Sequence, residues 1–445
     1  MATQQTGDIA AHRLSSTQLS CEFADIAPLL DPTAAAAAAS RCHYCYDAPC
    51  VHACPTQIDI PGFIRKIGNG NLKGAAADIL SANPLGGMCA RVCPTEILCE
   101  GACVRNHQDA QPVAIGALQR HATDWAMASG AVAFRRAPDT GRHVAVVGAG
   151  PAGLACAHRL ALAGHRVTLF DAHAKAGGLN EYGIAAYKTV DDFAQREVDW
   201  LLSVGGIELK TGVALGRDVT LDALRQQHDA VFLAIGLGGV RALALDGEDL
   251  AGVMNAVDFI EQVRQADALE NVPVGRRVVV IGGGNTAVDA AVQSRKLGAA
   301  RVTMVYRRGV EAMSATRAER EFAQKSGVTL VTHAKPVRLI GVDGQVTGVE
   351  FEAASGERFT IDADMVLKAI GQTLVPVGIE RELLTLDGSR IAVDADGRTT
   401  LPDVWAGGDC AATGGVDLTV QAVQDGKRAA ASIDAALVRR DAQAA

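Results

Sequence analysis

Eight cysteines fall between positions 42 and 103, in two runs: Cys42-x2-Cys45-x4-Cys50-x3-Cys54-Pro55 and Cys89-x3-Cys93-Pro94-x4-Cys99-x3-Cys103. Thiols this dense hold zinc, iron–sulfur clusters or disulfides. Zinc ribbons pair two CxxC knuckles, and here there is one, Cys42–Cys45. Each run instead has a cysteine followed by proline, as in ferredoxin-type runs where one cysteine serves the other cluster. The pattern predicts two [4Fe–4S] clusters, with zinc or purely structural cysteine as the alternatives.

Two glycine-rich turns follow. Residues 143–147 read as a buried strand running into Gly148-x-Gly150-x-x-Gly153 and a helix, with Asp171 at the end of the next strand. In this pattern the first glycine makes the tight turn and the second lets backbone approach a pyrophosphate. The third lets helix and strand close. The helix N-terminus offers its unpaired N–H groups to the anion. The second turn, Gly282-x-Gly284-x-x-Ala287, follows the strand 277–281 and opens a helix ending near Leu297 and Gly298. The next strand, 301–306, runs into Arg307 and Arg308, with no acid for a ribose hydroxyl. Arginine there suits a 2′-phosphate, which taken alone favours NADP. Hydride transfer between a nicotinamide and a flavin needs no acid, base or nucleophile, so no catalytic residue is assigned.

These residues need elements to hold them. Around the cysteines, 60–80 and 115–127 read as helices and no strand alternation appears, which predicts a small helical domain followed by a linker at 129–142. Asp31-Pro32-Thr33 reads as a helix cap. Gly177-Gly178-Leu179 forms a loop where a flavin ring could lie, and 193–202 is an amphipathic helix. Segments 229–236 and 364–371 echo each other as buried strands ending in glycine. Segments 328–331, 337–342 and 346–351 read as strands of a small meander. Residues 404–409 make a strand into a glycine turn with Asp409, and 419–437 is a helix whose N-terminus can face a flavin. The fold class that follows is an α/β two-dinucleotide-binding-domain flavoprotein (glutathione-reductase-like) preceded by an α-helical ferredoxin-type [4Fe–4S] domain. The expected boundaries are 1–137 for the iron–sulfur domain and 138–239 for the first part of the FAD domain. The NAD domain takes 240–372, and 373–445 returns to the FAD domain and a tail.

Composition narrows the class further. The chain has 445 residues, 49% of them hydrophobic, and a formal charge of -8. The acidic balance argues against nucleic acid or an anionic membrane surface as partner. No apolar run reaches the length of a membrane span and no signal peptide is evident, so the expected location is cytoplasmic. That compartment disfavours disulfides.

The motifs resemble a known family. The stretches 42–56, 83–95 (Asn-Pro-Leu-Gly-Gly-Met-Cys-Ala-Arg-Val-Cys-Pro-Thr), 115–119, 148–153, 282–287 and 407–409 are similar to the flavoprotein half of dihydropyrimidine dehydrogenase. The resemblance is strongest to the separate NADH-oxidising subunit of the bacterial NAD-dependent enzyme. It implies one cluster on Cys42, Cys45, Cys50 and Cys103, and another on Cys54, Cys93, Cys99 and Gln119. Counting thiols alone gives Cys89 as the eighth ligand instead of Gln119; the resemblance favours Gln119. It implies FAD on Gly148, Ala149, Gly150, Ala152, Gly153, Asp171, Leu179, Lys188, Leu215, Asp409 and Thr419, with Lys188 standing where an arginine is usual. It implies the nicotinamide nucleotide on Gly284, Asn285, Thr286, Arg307, Arg308, Ile370 and Gly371. A second arginine that helps hold the 2′-phosphate in NADPH-using relatives falls on Ser314, which favours NAD over NADP.

The resemblance implies electron flow from NADH through FAD and the two clusters to a partner subunit that carries FMN and further clusters and reduces uracil or thymine, the two forming a heterotetramer. The small subunit of glutamate synthase shares the same plan and is the alternative. A thioredoxin-reductase-type disulfide reductase would need a redox CxxC beyond residue 103, where Cys156 and Cys410 stand far apart. A non-enzymatic, cluster-bearing assembly module is the remaining alternative.

Overall fold

The computed structural model describes residues 14–132, 134–379 and 384–444, the last four as backbone alone. Contacts divide the chain into two units. One holds Ala27–Glu181, Asp191–Gly239 and Thr373–Ala445; the other holds residues up to Ile26, Tyr182–Val190 and Val240–Gln372.

The first unit begins with helices. Pro32–Ser40 starts where the Asp31 side chain accepts from the Ala34 N–H, with proline at the first helical position. The stretch expected as one helix over 60–80 is two, Ile60–Gly68 and Leu72–Ala82. Gly70, at φ +72°, turns the chain between them, and Asn71 caps the second by accepting from the Gly74 N–H. Gly86–Val92 and Ile115–Ser129 follow. Among the described residues from 27 to 132, every regular element is helical. Their apolar faces meet around Phe63, Ile64, Ile79 and Leu118, all fully buried.

The same unit then builds a parallel five-stranded sheet in the order Val404–Ala406, Ala230–Leu233, His143–Val147, Arg166–Phe170, Ile207–Lys210. The central strand is covered on both faces, which is why 144–147 is an unbroken apolar run. Helix Pro151–Leu162 packs against the C-terminal helix Thr419–Ala444. Gly426 permits that approach, because a Cβ there would overlap the Ala152 carbonyl oxygen.

The second unit has its own parallel sheet, in the order Val253–Asn255, Met365–Ala369, Arg277–Gly282, Arg301–Val305, Val328–Val331. Val328–Val331, expected in the meander, is instead the edge strand of this sheet. A four-residue apolar run does not reveal its pairing partner; here that partner is Arg301–Val305. The meander itself is antiparallel and consists of Ala334–Val342, Gln345–Ala353 and Arg358–Asp362. Residues 14–26, expected with the cysteine domain, group with this unit, where Leu19 and Phe23 join its core.

Gly426→Ala is expected to lower the melting temperature by a few degrees, matching the roughly 1–3 kcal/mol cost of overpacking. Thermal denaturation followed by circular dichroism measures this, and an unchanged midpoint contradicts the close helix contact.

Candidate functional site

The cysteines sort into two cavities, each enclosing about 380 Å³ of space between atoms, open mouth included. Cys42, Cys45, Cys50 and Cys103 line one. Cys54, Cys93 and Cys99 line the other, together with both Cys89 and Gln119. Among the described residues, no three His, Cys, Asp or Glu side chains converge as a single ion requires. Thiols arranged around a cavity suit a polynuclear cluster better than one tetrahedral zinc, whose four sulfurs lie about 2.3 Å from a common centre. Burial, then the neighbouring Cys103 and Cys42, push the Cys50 thiol up to about 11. Burial also raises Cys99, and the hydrogen bond with Cys89, followed by burial, raises Cys93. Iron binding would therefore release protons from these thiols.

The amide of Gln119 is oriented. Its Nε2 donates to the Gly86 carbonyl at 2.7 Å, so the oxygen is the atom left to offer the cavity. Cys89 is buried on the helix Gly86–Val92, one turn before Cys93. That helix is braced by a residue the sequence reading missed. Glu197, on the helix Phe193–Leu202, is 0% exposed. Its carboxyl Oε1 accepts from the Gly87 N–H at 2.8 Å and the Met88 N–H at 3.1 Å. A side chain at Gly87 would stand 2.8 Å from Glu197 Oε1 and 2.5 Å from the Phe193 ring, so only glycine allows the approach. Burial pushes the Glu197 carboxyl up to about 8, against the two N–H groups and Arg91.

The glycines of the first turn divide their work. A Cβ at Gly148, whose φ is +99°, would overlap the Ala234 carbonyl, and one at Gly153 would overlap the Gly148 carbonyl. At Gly150 it would meet Gly178 Cα at 3.8 Å and nothing nearer. The fold therefore requires two of the glycines for packing and leaves the third open, where a pyrophosphate could approach the first turn of Pro151–Leu162. Ala149 and Ala152 are buried beside this turn. Asp171 accepts from the Ala149 N–H at 2.7 Å and the His173 N–H at 2.8 Å, so its carboxylate fixes the loop. Thr419 donates to Asn180 Oδ1 at 3.0 Å, which ties the C-terminal helix to the Gly177–Gly178 loop. Leu179 is exposed and Leu215 buried. Asp409 is pushed up to about 6 by burial, with Asp417 adding and Arg390 opposing.

Lys188 groups with the other unit. Its ammonium lies 2.7 Å from both Asp289 and Glu319. Burial would lower its pKa, but the two carboxylates outweigh burial and raise it. Its charge is thus shared between two carboxylates of that unit.

In that unit a Cβ at Gly282 would overlap the Ala369 carbonyl, whereas Gly284 faces the Ser314 hydroxyl, 3.1 Å from where a Cβ would be. Asn285 and Thr286 open the helix Asn285–Lys296, and Asn285 Oδ1 is buried without a hydrogen-bond partner. Arg307 is exposed. Arg308 is exposed too, but its guanidinium is folded onto the Tyr306 hydroxyl, at 3.0 Å and 2.6 Å. Ile370 and Gly371 follow the strand Met365–Ala369, and the Gly371 carbonyl accepts from the Arg241 N–H.

Two parallel sheets, each entering a helix through a glycine turn, define a two-dinucleotide-domain flavoprotein fold. Solved structures agree: a T. acidophilum thioredoxin reductase superposes with a TM-score of 0.56 at 24% identity, covering 67% of this chain and 99% of that one. FprA of Mycobacterium tuberculosis superposes at 0.58 and 20% identity, covering 69% and 86%. Residues 142–426 match the family model described as pyridine nucleotide-disulphide oxidoreductase, and 19–131 match that of dihydropyrimidine dehydrogenase domain II, 4Fe-4S cluster. Among curated relatives, an NAD-dependent dihydropyrimidine dehydrogenase subunit PreT of Escherichia coli O157:H7 is 35% identical over 92% of this chain and 96% of its own length. The NADPH glutamate synthase small chain of Halomonas elongata is 34% identical over 93% of each. The chain belongs to the pyridine nucleotide-disulphide oxidoreductase family, in the group that carries an N-terminal 4Fe-4S domain. It is an oxidoreductase whose domains are those of FAD, NAD(P) and iron–sulfur binding. Among the described residues, no helix is long and apolar enough to cross a membrane.

Glu197 yields a pH prediction. Its folded value of about 8 lies above the ordinary 4.5, so the buried neutral form stabilises the fold fully below 4.5. That contribution is lost as pH rises through about 8. Glu197→Gln stays neutral and keeps an acceptor for Gly87 and Met88. Relative to the native protein, its stability is expected to rise by roughly a few kcal/mol between pH 5 and pH 8, since each pKa unit is worth about 1.4 kcal/mol. Melting curves across that range check this; a pH-independent difference contradicts the buried neutral carboxyl.

Proposed function

We propose that this chain is the NADH-oxidising subunit of a two-component NAD-dependent dihydropyrimidine dehydrogenase. Its partner would carry FMN and iron–sulfur clusters and reduce uracil or thymine to the 5,6-dihydro form, in a cytoplasmic heterotetramer. When bound, a flavin would take up two electrons as one hydride and give them up one at a time, which suits iron–sulfur clusters as acceptors. The chain's own residues do the holding. Gly150 and the first turn of Pro151–Leu162 receive the flavin pyrophosphate, and Asp171 keeps that loop in shape. Asn285 offers its unpartnered oxygen to the nicotinamide nucleotide. Cys42, Cys45, Cys50 and Cys103 would hold one cluster, and Cys54, Cys93, Cys99 and Gln119 a second.

The observation that carries this reading is Ser314 beside Gly284. A hydroxyl offers a neutral hydrogen bond and no charge to a 2′-phosphate, and Arg308 is already engaged with Tyr306. Both favour NADH, in keeping with the NAD-dependent dihydropyrimidine dehydrogenase relatives. A second reading, the small subunit of a glutamate synthase using NADPH, is favoured by the exposed Arg307 at the end of the strand Arg301–Val305.

The partner assay decides between them. Co-purified with its native partner, the protein is expected to drive uracil reduction with NADH at least about tenfold faster than with NADPH. NADPH-driven consumption of glutamine with 2-oxoglutarate overturns the reading. Gly150→Leu is expected to purify folded but without flavin, because the native packing has room for a Cβ and the pyrophosphate does not; retained flavin contradicts the placement. Gln119→Ala is expected to disturb one cluster's electron paramagnetic resonance signal, and Cys89→Ala to leave both. The reverse result transfers the ligand role to Cys89.

A further inference from the structure

Asn83 ends the helix Leu72–Ala82 and precedes Pro84, in the extended conformation a residue before proline prefers. It is 0% exposed and lines the second cavity beside Cys54, Cys93 and Cys99. Its Oδ1 accepts from the Leu85 N–H at 3.0 Å, an Asx turn that fixes which end of the amide is which. The other end, Nδ2, is buried with no hydrogen-bond partner. Buried amide donors are rarely left unpaired, so this one requires an acceptor that the protein itself does not provide.

The same turn orients two amides in opposite senses. Gly86, three residues on, uses its carbonyl to bind Gln119 Nε2 and thereby leaves the Gln119 oxygen free. Leu85 uses its N–H to bind the Asn83 oxygen and thereby leaves the Asn83 nitrogen free. An oxygen lone pair suits iron. An N–H suits the sulfur of an anionic cluster. The first cavity has no counterpart: its polar lining residues are engaged elsewhere, His43 with Gln108 and Arg105 with the Arg41 carbonyl and Asp109.

We propose that Asn83 is a positioning residue that donates, through Nδ2, a hydrogen bond to a sulfur of the iron–sulfur cluster in the second cavity. This rests on the reading that the cavity holds a cluster. A donor to cluster sulfur disperses negative charge and favours the reduced state, so Asn83 raises the reduction potential of this cluster and leaves that of the other alone.

The test uses the purified holoprotein and two variants. Asn83→Ala removes the donor; Asn83→Asp keeps an oxygen for the Leu85 N–H and so preserves the turn. Iron and flavin are assayed first, and wild-type protein without iron defeats the cluster reading itself. Redox titration by electron paramagnetic resonance is expected to show one cluster harder to reduce in Asn83→Ala. The expected change is about tenfold in its reduction equilibrium, or ~59 mV for one electron; the other cluster is the internal control. Electron–nuclear double resonance is expected to detect an exchangeable proton coupled to the wild-type cluster and missing in Asn83→Ala. Unchanged potentials and couplings in an iron-replete Asn83→Ala overturn the proposal. If that variant loses iron, Asn83→Asp decides: a lowered potential for one cluster at high pH, where the carboxylate is ionised, supports it. Iron loss or unmoved potentials there make Asn83 a turn-forming residue alone.

Discussion

The backbone from Asn83 to Met88 is the constraint on which the first unit depends. Six residues meet four obligations at once. Asn83 faces the second cysteine cavity, and Leu85 is buried in the core of the flavin-type sheet and helices. The Gly86 carbonyl holds Gln119, and the Gly87 and Met88 N–H groups rest on Glu197. Buried backbone groups must find partners, and these partners come from different helices. The cysteine helices and the flavin-type fold are thus locked through hydrogen bonds as well as through apolar contact. Lys427, on the C-terminal helix, adds a second tie by donating to the carbonyls of Thr56 and Ala82.

Chemistry explains why such rigidity belongs here. Electron transfer through fixed groups needs fixed distances and defined potentials, not moving side chains. Thr56 reinforces the point: its hydroxyl lies 3.3 Å from the Cys54 sulfur. Apart from its cysteines, the second cavity is lined mostly by apolar residues, with Asn83 and Gln119 as oriented amides among them, whereas His43 and Arg105 of the first cavity have their polar ends engaged elsewhere.

What was legible in the sequence follows from locality. The turns at Gly148 and Gly282 could be read because tight turn, strand and helix are neighbours along the chain. The two cysteine groups could be sorted by resemblance; Cys42, Cys45, Cys50 and Cys103 line one cavity, and Cys54, Cys93 and Cys99 line the other together with both Cys89 and Gln119. What escaped was nonlocal. Glu197 looked like one acid of an amphipathic helix, because its partners lie 110 and 109 positions away. Val328–Val331 could not announce a parallel partner, and Lys188 could not reveal that Asp289 and Glu319 would claim its charge. The break at Gly70 was legible in principle from Asn69-Gly70-Asn71, a turn signal inside an otherwise continuous helical pattern.

On the proposed function, electrons taken as hydride from a nicotinamide leave the flavin singly onto iron–sulfur clusters of this chain. Anaerobic rapid mixing of the purified protein with NADH, followed by freeze-quench electron paramagnetic resonance, tests it most directly. The expected result is loss of the oxidised-flavin absorbance followed by the appearance of reduced-cluster signals within the same turnover. Flavin that bleaches fully while chemically reducible clusters stay oxidised would contradict it.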